Sequence, residues 1–356
     1  MKLAGRVLVI NTGATTTKLA IFFGNDASET NLRFTPPTKC ERVIDELPAR
    51  LEQILKYFSH IGFKIGHCSA VMARGGLLAP MQSGVYVINE KMIDDLRKSK
   101  YGEHASNLSA LIAYELVKGT KIPAFICDPV VVDEFEPLAR ISGYPGIERA
   151  SRQHTLNVRA VSRRAAEKLG IPFGKLNAIC AHLGSGFSIV TVKNGKLVDN
   201  ADGLLGEGPF SIERAGVLPL RGVLDLAYSH PNRKEVEFLL SKKSGIVGYL
   251  GTNDFQEVER RIEAGDEYAK LIVDAMVYQI AKNICAYSAP LKGKAMAVII
   301  TGALANSKRL VKEIKKYVGW VAPQFLVFPG EDEMEALKDS AYAVLLGEEK
   351  PREYKG

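Results

Sequence analysis

Disulfide and structural zinc chemistry are the first things this sequence lacks. Its five cysteines (Cys40, Cys68, Cys127, Cys180 and Cys285) are odd in number and widely spaced, with no CxxC pair and no histidine at finger spacing. They read as reduced core residues, and the expected compartment is the cytoplasm. Long apolar runs are also missing: at the amino terminus the longest run before Asn11 is four residues, too short for a signal peptide. No other stretch approaches the roughly 18 apolar residues that span a bilayer, so no membrane partner is expected. Charge is not concentrated either. Lys and Arg outnumber Asp and Glu by 47 to 40, a net +7. The densest basic stretches, "RKSK" at 97–100 and "KEIKK" at 312–316, lie in helix-like segments where they read as solvated faces. No nucleic-acid partner is inferred. Finally, neither GxxxxGK[ST] nor a GxGxxG after the first strand occurs, which removes the P-loop and Rossmann readings.

What the sequence does contain is an unusual turn. "VLVINTGATTTKLAIF", Val7 to Phe22, is two apolar runs separated by Asn, Gly and a cluster of Ala and Thr, with Lys18 just behind. Two residues such as Asn-Gly suffice to reverse a hairpin, so this turn carries more polar groups than reversal needs. It is either a tight hairpin with surface threonines or a phosphate cradle, in which backbone N–H groups, hydroxyls and a lysine approach an anion. A second copy follows at "AICAHLGSGFSIVTVKNGKLVD", 178–199. Two such hairpins would clamp a nucleotide between domains.

Organisation along the chain agrees with duplication. A length of 356 residues suggests two domains. Helical periodicity marks 43–58, 89–100, 105–119 and 156–170, and short apolar strands mark 67–73, 124–132, 295–302 and 324–330. Strands alternating with helices give an α/β class. The crossover between halves is expected near 147–157. The expected domains are 1–150, with a final segment 333–356 packing back on it, and 151–332.

Paired hairpin domains with two phosphate turns resemble the actin and hexokinase superfamily. Within it the chain resembles the acetate and butyrate kinases, and butyrate kinase most closely. The resemblance runs nearly end to end, through "ARGGLLAP" (73–80), "GEHASNLSALIAYE" (102–115), "DPVVVDE" (128–134), "ARISGYPGIER" (139–149), "HLGSGFS" (182–188), "GEGPFSIERAG" (206–216) and "PGEDEMEAL" (329–337). It implies two duplicated actin-like (ribonuclease H-like) domains with an interdomain nucleotide cleft. It also implies reversible transfer of a phosphoryl group from ATP to a short-chain carboxylic acid, with ADP and Mg²⁺, in a homo-oligomer. Ser185 stands where acetate kinases carry Asn, and the chain is shorter than theirs, so the resemblance favours butyrate or a branched acid over acetate or propionate.

The residues implied can be checked against that chemistry. A carboxylic acid with a pKa near 4 is already ionised at pH 7, so it needs no general base. An anion approaching a polyanion needs arginines, donors and a metal instead. By resemblance Arg74 and Arg214 surround the carboxylate and the transferring phosphoryl, Asp128 positions an arginine or a metal-bound water, and His182 donates to the γ-phosphate. His104 either donates to the acyl or phosphoryl group or caps local structure. Asn11, Thr15 and Lys18 of the first turn and Gly184, Ser185 and Gly186 of the second face phosphates. Gly302, Ala303 and Asn306 in "TGALANS" belong to the adenosine pocket, although the family usually has a second Gly where Ala303 stands. Glu331 or Glu333 is the expected Mg²⁺ carboxylate; both also suit the acidic first turn of a helix from about Glu333 to Leu346. A sugar kinase using Asp128 as base, and an ATP-switched module without catalysis, are the competing readings.

Overall fold

The computed structural model describes residues 5–36, 40–203, 205–331 and 333–356. Its contacts divide the chain into two compact units, Met1–Val132 with Asp332–Gly356, and Asp133–Glu331.

In the first unit, numbering strands along the chain, β1 (Arg6–Thr12), β2 (Thr16–Phe23), β3 (Asp26–Arg33), β4 (Cys68–Arg74), β5 (Val85–Val87), β6 (Ala124–Cys127) and β12 (Arg352–Glu353) form one sheet. Their order is β12-β5-β6-β4-β1-β2-β3. Val7 to Ile10 are all buried, because β1 lies mid-sheet with covered faces. Helices Asn107–Val117 and Glu333–Leu345 both pack on β1 and β4. Strand β3 has no apolar alternation, and most of its side chains are exposed, as suits an edge. The strand expected over 124–132 stops at Cys127. Asp128 there takes φ +40°, which leaves the extended region, and Pro129 offers no N–H to a ladder.

A buried arginine organises the β1–β2 turn. Arg50, on helix Leu47–His60, is fully buried and donates to Ala14 O (2.8 Å), Thr16 O (3.0 Å) and Thr17 Oγ1 (3.0 Å). Its charge is met by Glu46 at 2.8 Å, and its guanidinium lies over the Phe34 ring. Thr15 O accepts from Phe34 N at 2.8 Å. In a trans peptide the C=O and the following N–H point in opposite directions. The Ala14 carbonyl drawn to Arg50 therefore turns the Thr15 N–H away from that guanidinium, and the Thr15 carbonyl drawn to β3 turns the Thr16 N–H toward the β1 side of the hairpin.

In the second unit β7 (Asn177–Leu183), β8 (Phe187–Lys193), β9 (Lys196–Ala201), β10 (Ala297–Gly302) and β11 (Gln324–Pro329) take the order β11-β10-β7-β8-β9. This repeats β6-β4-β1-β2-β3 strand for strand, and the first unit adds β5 and β12 at one edge. Side chains alternate cleanly between faces. Ala178, Cys180, Val190 and Val192 cluster with Val158, Val161 and Ala165 of helix Thr155–Lys168. Ile179, Ala181, Leu183, Phe187 and Ile189 cluster with Met276 and Ile280 of helix Glu267–Ala286 and Ile314 of helix Lys308–Val318. Burial pushes the Cys180 thiol well above its ordinary range and that of Cys68 up to about 11, which keeps both protonated.

The stretch 133–150, expected with the first domain, belongs to the second unit. Arg149 fixes it there. Its guanidinium pairs with Asp199 (2.9 Å) and Glu207, and donates to Ala139 O (2.7 Å), Asn200 O (2.9 Å) and Tyr287 Oη (2.9 Å). Arg140 adds a two-pronged pair with Asp133 at 2.7 and 2.8 Å.

If Arg50 sets the first turn, Arg50→Met should cost about 3 kcal/mol of first-unit stability, since it strands Glu46 and three buried acceptors. Urea unfolding checks this. A loss within 0.5 kcal/mol, the level typical of neutral surface changes, would show that the turn holds itself.

Candidate active site

Within the first unit three expected residues meet at the carboxyl ends of β1 and β4. Arg74 Nη1 lies 3.2 Å from Glu333 Oε2 and donates to Asn11 Oδ1 at 3.3 Å, while Asn11 Nδ2 donates to the same Glu333 oxygen at 2.7 Å. Arg74 stays about one-third exposed. Its strand end is fastened by Leu77 N, which donates to Asn107 Oδ1 at 2.7 Å at the start of helix Asn107–Val117. His104 feels Arg74 as well. Burial first, and then the Arg74 charge, hold its pKa below the ordinary 6.5, so the ring is neutral at pH 7. Ser106 N donates to His104 Nδ1 at 3.2 Å. A backbone N–H cannot accept, so the neutral ring carries its proton on Nε2 and offers it as a donor.

Asp128 takes a different part. It is 3% exposed, and its Oδ1 accepts from Gly84 N at 2.7 Å while its own N–H donates to Gly84 O at 3.2 Å. Positive φ at a non-glycine residue costs strain that surrounding contacts must hold. Here the reciprocal Gly84 bonds hold it. Thr15 and Lys18 are exposed on the turn that Arg50 anchors.

The second unit gathers its residues at the equivalent turn. Gly184 N donates to Gly186 O at 3.3 Å, and the Ser185 carbonyl accepts from Ser211 Oγ at 2.7 Å and Glu213 N at 3.4 Å. By the same peptide geometry the Gly186 N–H faces away from that anchor. Arg214 lies directly over Gly186, where a Cβ would sit 2.0 Å from Nη1, so any larger residue there would have to displace the guanidinium. Arg214 donates to Gly203 O, its Nε is buried with no hydrogen-bond partner among the described residues, and burial lowers its pKa.

Strand alternation sends His182 to the same face as Cys180 and hence toward helix Thr155–Lys168. There its Nδ1 donates to Asn157 Oδ1 at 2.8 Å, and its ring stacks on His154 with centroids 4.0 Å apart. His154 Nδ1 in turn meets Ser188 Oγ at 2.8 Å. Nε2 of His182 is buried and lies 3.2 Å from Glu331 Oε1, out of line for a hydrogen bond. With Nδ1 donating to Asn157, Nε2 can donate only when the ring is doubly protonated. Gly302, at φ +90°, lets β10 approach the Leu183 carbonyl, which a Cβ would meet at 2.4 Å. Ala303 and Asn306 are exposed in the short helix that follows, and Asn306 Nδ2 bonds back to Ala303 O at 3.0 Å.

The two glutamates part company: Glu331 faces His182, and Glu333 faces Arg74 and Asn11. Among the described residues no cluster of three or more acidic, His or Cys groups could hold a metal, and no helix is long and apolar enough to cross a membrane. Sequence reading missed Arg50, Asn157 and the His154 stack; the stack alone left a trace, a histidine just ahead of a helix.

Residues 146–320 match the model of the Acetokinase family. Solved structures extend the likeness to the whole fold. An acetate kinase from Porphyromonas gingivalis superposes with a TM-score of 0.78 at 20% identity, covering 96% of this chain and 100% of that one. A propionate kinase from Francisella tularensis subsp. tularensis SCHU S4 gives 0.74 at 18%, over 94% and 98%. An acetate kinase from Entamoeba histolytica gives 0.75 at 16%, over 95% and 99%. The fold is therefore that of the acetate and propionate kinases, a duplicated actin-like α/β architecture.

Replacing Arg74 by Gln removes the smaller of the two causes acting on His104. Its imidazole titration, followed by NMR, should move up toward 6.5 but stop short, because burial remains. The unfolded chain binds this proton more tightly, so stability should fall as pH drops from 6.5 through the folded value, less steeply in Arg74→Gln. An unmoved titration would show that the Arg74 charge does not reach the ring.

Proposed function

We propose that this protein is a short-chain carboxylate kinase of the butyrate type, transferring the γ-phosphoryl group of ATP to a carboxylate. A carboxylate oxygen attacks the γ-phosphorus, the bond to the β–γ bridging oxygen breaks, and ADP leaves with that electron pair. The products are acyl phosphate and ADP. No proton needs to be removed at neutral pH.

The observation that carries this reading is that the expected acceptor residues offer donors and positive charge rather than a base. Arg74 and the neutral His104 are donors, and the nearby carboxylate of Glu333 is already met by Arg74 and Asn11. A hydroxyl acceptor would call for a free carboxylate. Asp128, the candidate for that role, is buried and bonded to Gly84, which argues against the sugar kinase. In this reading Arg74 binds the acid and steadies the charge spreading over the transferring group. His182 and Arg214 engage the γ-phosphate. The N–H groups at Thr15 and Gly186, with Asn11, Lys18, Gly184 and Ser185, cradle phosphates, and Gly302, Ala303 and Asn306 border the adenosine.

Mg²⁺ suits this donor set. It keeps several waters and takes one or two carboxylates plus substrate phosphates. Glu331, with nearly half of its side chain exposed, is the better candidate, since Glu333 is engaged by Asn11 and Arg74. When bound, the ion would neutralise charge on the β- and γ-phosphates. The choice of butyrate or a branched acid over acetate or propionate rests on Ser185 in the second turn. One or two methylenes alter binding by only about 1–3 kcal/mol, so several acids should be accepted. A homo-oligomer belongs to this reading through the resemblance alone, and sedimentation velocity reads it.

Trapping acyl phosphate as hydroxamate, with ATP, Mg²⁺ and a series of acids from acetate to valerate, should give product that peaks at four or five carbons. Arg74→Gln and Arg214→Gln should each lower turnover about 100-fold or more, the scale of losing one transition-state donor, with unchanged circular dichroism. A peak at acetate would overturn the butyrate assignment, and no hydroxamate with any acid would overturn the kinase.

A further inference from the structure

The strand pair that carries the second turn has another feature at its opposite end. Where β7 begins and β8 ends, a cavity of about 340 Å³ opens, lined by Asn177, Lys193, Asn194, Leu291, Lys292 and Lys294 with one proline. It lies a full seven-residue strand away from the 184–186 turn, about 20 Å at strand rise. We propose that this cavity is a second anion site, binding a condensed phosphate through its lysines and asparagine amides.

Four observations combine. No carboxylate lines the cavity. Lys193 is paired with Glu136 at 2.6 Å, whereas Lys292 and Lys294 have no partner among the described residues, so the rim holds two uncompensated positive charges. Asn194 N donates to Asn177 Oδ1 at 2.9 Å, which fixes the Asn177 amide and leaves its Nδ2 free to donate. Two left-handed residues, Asn194 (φ +52°) and Lys292 (φ +51°), each followed by glycine, set the rim in tight turns. Leu291 supplies a buried apolar floor. The volume falls at the lower end of small-molecule sites, roughly 300–1,000 Å³, with room for more than one tetrahedral oxyanion. Two unmatched charges beside the cavity suit pyrophosphate better than a single phosphate or a nucleotide base. The inference does not depend on the proposed catalytic activity.

Amine acylation read by peptide mass spectrometry tests it, using the intact chain at fixed ionic strength with Mg·ADP present throughout. Pyrophosphate at about four times its Kd should slow acylation of Lys292 and Lys294 roughly five-fold, following 1 + [L]/Kd. Lys312 and Lys316 should be unaffected, inorganic phosphate should protect more weakly, and succinate should not protect. The double variant K292Q/K294Q, at two exposed positions, should lose calorimetric pyrophosphate binding in the same buffer while its Tm and its response to ADP are kept. Unchanged acylation, uniform slowing of every lysine, equal protection by succinate, or unaltered pyrophosphate binding by the double variant would each overturn the site.

Discussion

Both candidate phosphate turns depend on one constraint, the direction in which peptide carbonyls are held. A peptide group is a rigid dipole whose two ends cannot face the same way. Arg50 and Phe34 N draw the carbonyls of Ala14 and Thr15 behind the first turn. Ser211 and Glu213 N do the same for Ser185 in the second. Facing away from those anchors are the N–H groups of Thr15 and Gly186. The two anchors are chemically unrelated, one a buried guanidinium and the other a hydroxyl with an amide, yet they impose the same polarity on equivalent turns of a duplicated sheet. The polarity of each turn is thus set from behind, by residues that do not themselves form its front.

Around these turns the charged side chains are arranged as matched opposites. Arg74 and Glu333 in the first unit, and His182 and Glu331 in the second, bring a cation or potential cation to within 3.2 Å of a carboxylate. Such pairs keep positive groups oriented without leaving them bare. Arg214 Nε and His182 Nε2 are both buried without a hydrogen-bond partner among the described residues, the kind of unmet demand that a bound anion relieves.

The sequence disclosed what is local and periodic. The hairpins with their polar turns, helices such as Thr155–Lys168, and the acidic start of helix Glu333–Leu345 follow from alternation, capping and turn chemistry over a few residues. It concealed what depends on distant contacts. Arg50 is one arginine among many until the fold brings it to Ala14 and Thr16, and Asn157 is an ordinary helix residue until β7 aims His182 at it. Strand β3 has no apolar pattern because an edge strand buries little. Asp128 reads as part of a strand over 124–132, yet its left-handed backbone and its bonds to Gly84 exist only once β5 and β6 pair.

The chain terminus is stitched into the far edge of the first sheet. Strand β12 pairs with β5, and Tyr354 Oη reaches both Ala79 N (3.1 Å) and Asp95 Oδ2 (2.9 Å). Helix Glu333–Leu345 meanwhile covers β1 and β4. The first unit is therefore completed by residues that follow the second in sequence, whereas Asp133–Glu331 is one continuous stretch. On the ribosome, where domains fold as units while synthesis runs at about 5–20 residues per second, the second unit has all of its residues before the first one does. The second unit can therefore close while β1 and β4 of the first still lack helix Glu333–Leu345.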